Sequence, residues 1–186
     1  MWFKHNVNLR KMHHKTASKM SIIVNTQERT IIVSGVHYPC RIGRAGVINC
    51  AFGREGDEKT PLGGYALRYG FYRADRLPRP RSALNMCALT ENDGWCDAPE
   101  DPAYNRFIRL PYGASSEALW REDGAYDVII VISHNDSPPE PGLGSAVFIH
   151  IAQPDDRQTL GCIAVTPDVM LALLSQAYCG QSLTIM

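Results

Sequence analysis

One histidine and one cysteine in the C-terminal part of the chain have the residue types of a base and a nucleophile. His150 lies inside an apolar run and Cys162 follows Gly161, with eleven residues between the histidine and the cysteine. A cysteine thiol with a pKa near about 8.5 is mostly protonated at neutral pH, so a neighbouring imidazole must accept its proton. We predict that Cys162 attacks an acyl group and that His150 is its base.

Backbone groups would complete this chemistry. The N–H groups of Gly161 and Cys162 would form an oxyanion hole, because a glycine lets the backbone approach a substrate closely. A carbonyl near Ile151 would accept a hydrogen bond from one imidazole nitrogen and so orient the ring of His150. A histidine in an apolar strand also has a plainer interpretation, that of a buried residue whose hydrogen bonds are satisfied.

The segments that carry the two residues are predicted to be central β-strands. The first is the apolar run 146–151, the second begins after Cys162, and the polar segment 153–158 connects them. We expect a hairpin-like arrangement that brings thiol and imidazole within hydrogen-bonding distance.

Patterns elsewhere in the chain also favour strands. The expected strands are 22–24, 30–33, 36–42, 65–72, 126–132 and 182–185, the first two forming a hairpin. Thr166 and Pro167 begin a predicted helix that stops by Gly180, and a shorter helix is expected at 115–120. The irregular tract 77–113 is predicted to be either a rim beside the active site or a cover for a sheet edge.

Five further residues are candidates for binding substrate. His134 and Asn135 end a predicted central strand, where active-site groups are often found. Asp57 and Thr60 would contact an amine or a carboxylate, and the guanidinium of Arg157 suits a carboxylate. For each of them, a turn or a solvated surface position is the alternative interpretation.

Two motifs resemble those of a known family. The segment 159–163, TLGCI, resembles the Ser/Thr-His-Gly-Cys signature of the L,D-transpeptidase (YkuD-like) catalytic domain, and His150 corresponds to its upstream histidine. The segment 59–65, KTPLGGY, resembles the family's Thr-Pro-x-Gly-x-aromatic segment. The resemblance implies a mainly β fold, a mixed β-sandwich or open barrel with one or two helices.

The resemblance also implies an activity. The enzyme would cleave an L–D peptide bond of a peptidoglycan stem through a thioester acyl-enzyme. It would then transfer the acyl group to the diaminopimelate amine of a second stem, forming a cross-link of the cell wall. Stem peptides are thus the expected donor and acceptor, and a carbapenem β-lactam is an expected inhibitor. No metal or cofactor is expected.

The chain departs from the family pattern at two positions near the cysteine. Leu160 stands where the family usually has histidine, and Ala164 stands where arginine or asparagine is common. The segment between His150 and Cys162 is also shorter than usual. These changes leave nucleophile and base intact but put the usual donor specificity in doubt, so cleavage at L-Ala rather than at diaminopimelate stays open.

Other functions remain open from the sequence alone. A Cys–His peptidoglycan peptide hydrolase would have the same site and differ only in using water as the acceptor. A non-catalytic module that binds cell-wall peptides would need no nucleophile. A metal site of His134, His150 and Cys162 lacks the compact ligand spacing typical of such sites.

Composition sets the remaining limits. The chain has 186 residues and zero formal net charge, which argues for one domain and against a nucleic-acid partner. Residues 1–19, which are basic and lack an acidic residue, are predicted to be a disordered or upstream extension to the catalytic domain, 20–186. No transmembrane segment and no signal peptide are recognised, yet the inferred substrate favours the periplasm. Cys87 and Cys96 would form a disulfide in an oxidising compartment, although free thiols are favoured.

Overall fold

A computed structural model describes residues 21–155 and 157–186 of the chain. The predicted extension, 1–19, lies outside the described residues. The strands are β1 Ile22–Asn25, β2 Thr30–Val33, β3 Val36–Arg41, β4 Val47–Asn49, β5 Thr60–Tyr72, β6 Met86–Ala88, β7 Asp93–Cys96, β8 Phe107–Arg109, β9 Ser116–Ala118, β10 Val128–Ile132, β11 Phe148–Ile151, β12 Ile163–Val165 and β13 Ser182–Ile185. One α-helix, α1 Pro167–Leu174, and a 3₁₀ turn, Cys50–Phe52, complete the described elements.

Two strands pass from one layer of the fold to the other and join them. The first part of β5 pairs with β13, and its second part pairs with β10. Strand β3 likewise pairs with β2 and then with β12. The pairing therefore runs in a ring through β5, β10, β11, β12, β3, β2, β1 and β13. The predicted mainly β, mixed-sheet fold is confirmed.

The central strands are apolar throughout because both of their faces are covered. Successive residues of a strand point to opposite faces. Ile130 and Ile149 thus face the core between the layers, with α1, whereas Ile129 and Phe148 face a second core. A small antiparallel sheet, β8-β7-β9, contributes Trp95 to that second core.

The small sheet corrects two expectations. The predicted helix at 115–120 is wrong, because β9 lies there and pairs with β7. The tract 77–113 is not irregular throughout, since it contains β6, β7 and β8. Its short strands are stabilised by tertiary pairing rather than by a local apolar pattern.

The arrangement of β11 and β12 also differs from the prediction. They are neighbours in the sheet, as expected, but they run parallel rather than as a hairpin. Among the described residues, no helix is long and apolar enough to cross a membrane.

Candidate active site

His150 and Cys162 lie on the same face of two adjacent strands. In the parallel register of β11 and β12, His150 pairs with Ala164, and Cys162 precedes Ala164 by two residues. Because side chains alternate along a strand, Cys162 and Ala164 share a face, and it is the face that carries Phe148 and His150. The structure thus places the two side chains on one face, two positions apart along the strands. Among the described residues no hydrogen bond joins Cys162 Sγ to His150, so the expected contact between thiol and imidazole is not formed.

The imidazole of His150 has the orientation that a base requires. Its Nδ1 lies 2.9 Å from the backbone carbonyl oxygen of Ile151, and a carbonyl can only accept, so Nδ1 carries the proton. Nε2 is then left as an acceptor. Burial lowers the pKa of His150 below its ordinary value of 6.5, and the hydrogen bond to Ile151 opposes this shift. The neutral ring is therefore its resting form at neutral pH.

The thiol of Cys162 is held by the backbone of the segment before and within β11. Its Sγ donates to the carbonyl oxygen of Ala146 at 3.1 Å and accepts from the N–H of Phe148 at 3.3 Å. Burial, with a smaller contribution from the carboxylate of Glu117, raises the pKa of Cys162 to about 12. The thiol is therefore protonated at rest.

The backbone before the cysteine is fixed by two threonines. The hydroxyl of Thr60 donates to Gly161 O and accepts from Gly43 N, both at 2.8 Å. Thr159 Oγ1 accepts from Gly161 N at 3.2 Å and donates to Cys162 O at 2.6 Å. Thr60 is fully buried and its contacts position Gly161. Its predicted contact with substrate stays a prediction.

The predicted oxyanion donors differ in their hydrogen bonds. Gly161 N–H already donates to the Thr159 hydroxyl. Cys162 N–H has no acceptor among the residues that the structure describes. The oxyanion hole itself stays a prediction.

Residues from the tract 77–113 hold the segment that contacts the thiol. Asn105 Oδ1 accepts from Trp95 Nε1 at 2.9 Å and from Ala146 N at 3.2 Å. Asn105 Nδ2 donates to the carbonyls of His134 and Asn135. Asn105 thus ties the small sheet, the end of β10 and the Ala146 segment together. Sequence reasoning missed it, because an asparagine in an irregular tract carries no periodic signal.

His134 lies where two surface clefts meet. The first cleft is lined by residues of β5, of the small sheet and of the ends of β10 and β11. The second is lined by residues 53–59 and by Gly161. His134 and Val147 line both clefts. The imidazole is largely buried, packs edge-on against Tyr65, and burial lowers its pKa. Its predicted role in binding substrate stays a prediction.

The other predicted substrate residues have contacts of their own. Asn135 organises a turn through hydrogen bonds with Glu140 and Gly144. The carboxylate of Asp57 accepts from two backbone N–H groups of its own loop, although it also lines the second cleft. Arg157 pairs with Asp155 at the surface and lines neither cleft.

A polar cluster beside His150 was not predicted. The ring of Tyr126 packs edge-on against His150, and its hydroxyl donates to Glu117 Oε1 at 2.7 Å. Arg121 lies over the same Tyr126 ring and pairs with Asp123 and Glu117. Burial raises the pKa values of Glu117 and of Tyr126.

The described residues contain no group of three or more His, Cys, Asp or Glu side chains that could hold a metal ion. All six cysteines, including Cys87 and Cys96, are free thiols.

Comparisons with known proteins concern both sequence and fold. The sequence model of the family described as L,D-transpeptidase catalytic domain, YkuD, matches residues 19–185. No curated protein matches the chain at a significant level.

Similar solved structures include that of Bdellovibrio bacteriovorus Bd1075, which is 15% identical in sequence and has a TM-score of 0.48. The match covers 91% of this chain and 48% of Bd1075. Mycobacterium tuberculosis L,D-transpeptidase 1 is 12% identical and has a TM-score of 0.41, with 89% of this chain and 60% of that chain covered. LdtMt1 in complex with imipenem has 12% identity, 89% and 57% coverage, and a TM-score of 0.41. This chain therefore spans between 48% and 60% of the length of these proteins.

Proposed function

Because the chain belongs to the family of L,D-transpeptidase catalytic domains, we propose that it is a peptidoglycan L,D-transpeptidase with Cys162 as nucleophile and His150 as base. The observation that carries the proposal is the shared face of His150, in β11, and Cys162, directly before the parallel strand β12. The hydrogen bond from His150 to Ile151 supports it, since it leaves Nε2 free to accept a proton.

In the first half-reaction, Cys162 Sγ attacks the carbonyl carbon of the L-residue at an L–D bond of the donor stem. The thiol proton passes to His150 Nε2, and the same nitrogen returns it to the departing amine of the D-residue. A thioester remains on Cys162. Backbone N–H groups near Gly161 and Cys162 would stabilise the oxyanion.

In the second half-reaction, the diaminopimelate amine of another stem attacks the thioester. His150 takes a proton from the amine and returns it to the sulfur as the C–S bond breaks. The products are a cross-linked pair of stems and the free thiol. We further propose that this occurs in the periplasm, where stem peptides are incorporated into the wall, and that a carbapenem acylates the same sulfur.

The Cys–His hydrolase differs from this proposal only in the acceptor of the acyl group. Water would replace the amine, and the product would be a shortened stem. The substitutions Leu160 and Ala164, which flank the nucleophile, leave open which L–D bond is cut.

The test is incubation of the purified protein with disaccharide-peptides of defined stem length, followed by mass spectrometry. We expect cross-linked dimers with the wild type and no product with Cys162→Ala, because that change removes the nucleophile. Fragmentation of the dimers identifies the bond that was cut. Shortened monomers alone would replace the transferase by the hydrolase, and equal product from Cys162→Ala would contradict the mechanism.

A further inference from the structure

The cleft beside β11, called here the arginine cleft, contains a cation that the proposed mechanism does not use. It is lined by Arg68, Tyr69, Trp95, Asn105, Arg106, Phe107, Val131, Ile132, His134, Asp136, Val147 and Phe148. Phe148 connects it to the site, since the N–H of Phe148 contacts Cys162 Sγ. Cys162 and His150 do not line the cleft themselves, but one lining residue, Phe148, is in direct contact with the nucleophile.

A bulge in β5 directs two consecutive side chains into this cleft. Across from β10, Gly70 pairs with Ile130 but Leu67 pairs with Ile132, so β5 has one extra residue there. Consecutive residues of a regular strand point to opposite faces, whereas a bulge changes the direction of a side chain. Both Arg68 and Tyr69 consequently line the cleft.

The two arginines of the cleft differ in their partners. Arg68 donates to both carboxylate oxygens of Asp136, at 2.7 and 3.1 Å, so its charge is compensated. The side chain of Arg106 is exposed and forms no hydrogen bond or ion pair with any described residue. The guanidinium of Arg106 is thus uncompensated, in a cleft that Trp95 and Phe148 also line.

This composition fits one chemical group. A guanidinium binds a carboxylate through two parallel hydrogen bonds, and such charge-assisted pairs are stronger than neutral ones. We propose that Arg106 binds a carboxylate of the donor stem peptide and holds the stem in the arginine cleft, with its scissile carbonyl at Cys162. The inference rests on the proposed function, because it takes the ligand to be a peptidoglycan stem.

The binding of a stem tetrapeptide to Cys162→Ala, measured by isothermal titration calorimetry, tests this inference without turnover. Adding Arg106→Ala should weaken binding about tenfold, since the change removes both hydrogen bonds and the charge of the guanidinium–carboxylate pair. Arg106→Lys should restore part of the loss, because it keeps the charge but not the fork. Arg79→Ala, a change at an exposed arginine outside the cleft, is the matched control and should leave binding unchanged.

Amidated peptides identify which carboxylate is bound. One peptide carries an amide at its C-terminus, and others carry an amide at a single side-branch carboxylate. The amide at the bound position should weaken binding to the parent protein as much as Arg106→Ala does, and it should have no further effect on Arg106→Ala.

Several outcomes would overturn the inference. The first is that Arg106→Ala and Arg79→Ala bind the stem with equal affinity. The second is that every amide weakens binding to Arg106→Ala as much as it weakens binding to the parent protein. The third is that no stem peptide binds the parent protein. If the wild type nevertheless cross-links stems, only the inference fails. If binding depends on Arg106 but no thioester forms, only the proposed function fails. Unchanged thermal unfolding of Arg106→Ala would show that the variant is folded.

Discussion

Burial shifts the pKa values of the two reactive residues in opposite directions. It raises the pKa of the Cys162 thiol to about 12 and lowers that of the His150 imidazole. Both shifts favour the neutral forms, so the resting pair is a thiol and an imidazole instead of a thiolate and an imidazolium. In the proposed mechanism the proton must then move to His150 during attack, after the thiol has left the carbonyl of Ala146.

This resting state predicts how the reactivity of Cys162 depends on pH. Only the thiolate is alkylated, and its fraction rises about tenfold per pH unit below the thiol pKa. We expect the rate of alkylation by iodoacetamide to rise steeply from pH 7 to pH 10 without a plateau. Peptide mapping isolates Cys162 from the other cysteines, and Cys162→Ala provides the blank.

A different pH profile would contradict this description of the pair. A plateau near neutral pH that disappears in His150→Ala would show that thiolate and imidazolium already exist at rest. The expected result is instead that His150→Ala keeps the steep rise. It should still lose transpeptidation, because general-base catalysis contributes about 10²–10⁴-fold.

Among single residues, the sequence was sufficient to predict those with a reactive side chain and with partners close by in the chain. Cys162, His150 and a carbonyl at Ile151 were predicted in this way. The side chains of Thr60 and Tyr126 were harder to interpret, because their partners, Gly161 and Glu117, are set by the tertiary fold. A spacing of residues does not show which way a hydroxyl points.

At the scale of elements, the small sheet and its Asn105 position the thiol-binding segment. Asn105 has a φ of 56°, a conformation that asparagine tolerates better than most residues. Its amide joins Trp95, Ala146, His134 and Asn135, and the side chain is buried. The tract 77–113 is thus tied by hydrogen bonds to the segment that contacts Cys162, which supports the interpretation of the tract as a rim beside the candidate site.

Replacing Asn105 by alanine tests this role. The change removes four hydrogen bonds and leaves Ala146 N and Trp95 Nε1 without their acceptor. We expect a loss of roughly 2–4 kcal/mol in the free energy of unfolding, measured with urea. Formation of the thioester should slow by about 10²-fold, because small displacements at a reacting centre are costly.

The matched control is Asn85→Ala. Asn85 is exposed, and among the described residues its amide reaches only Cys87 Sγ, at 3.7 Å. Its loss should change stability by less than about 0.5 kcal/mol and leave thioester formation unchanged. Equal effects of the two changes would mean that Asn105 does not hold the Ala146 segment.

Strands whose own residues are apolar or alternate were predictable from the sequence, whereas the strands of the small sheet were not. β1, β2 and β10 carry their own pattern, because one or both of their faces are buried. β9 has three residues and was mistaken for part of a helix, since its pairing with β7 supplies the stability that its sequence lacks. The parallel direction of β11 and β12 could not be predicted either, because a connection of eleven residues permits a parallel or an antiparallel pair.

At the scale of the whole molecule, β5 closes the ring of strands. It pairs with β13, β10, β4 and β6, so both layers of the fold depend on it. Its sequence predicts a strand over 65–72. The pairing with β10 is interrupted by a bulge between Leu67 and Gly70, where β5 also shapes the arginine cleft.

At Gly70, where β5 pairs with β10, there is no room for a side chain. A Cβ there would lie 2.7 Å from the backbone oxygen of Ile129 and 2.6 Å from Met86 Sδ. Methionine can move, but the oxygen of Ile129 belongs to β10 and can move only if the β5–β10 pairing is disturbed. Gly64, in the same strand, has nothing within 4 Å of such a Cβ.

Gly70→Ala should therefore destabilise the whole domain, by roughly 1–3 kcal/mol, as overpacking typically does. Gly64→Ala should be neutral or stabilising by up to about 1 kcal/mol, because alanine reduces the entropy of the unfolded chain. Urea unfolding followed by far-UV and near-UV circular dichroism measures both. Since β5 joins the two layers, the two probes should shift together in Gly70→Ala. Separate transitions would show that the layers unfold independently and that β5 does not couple them.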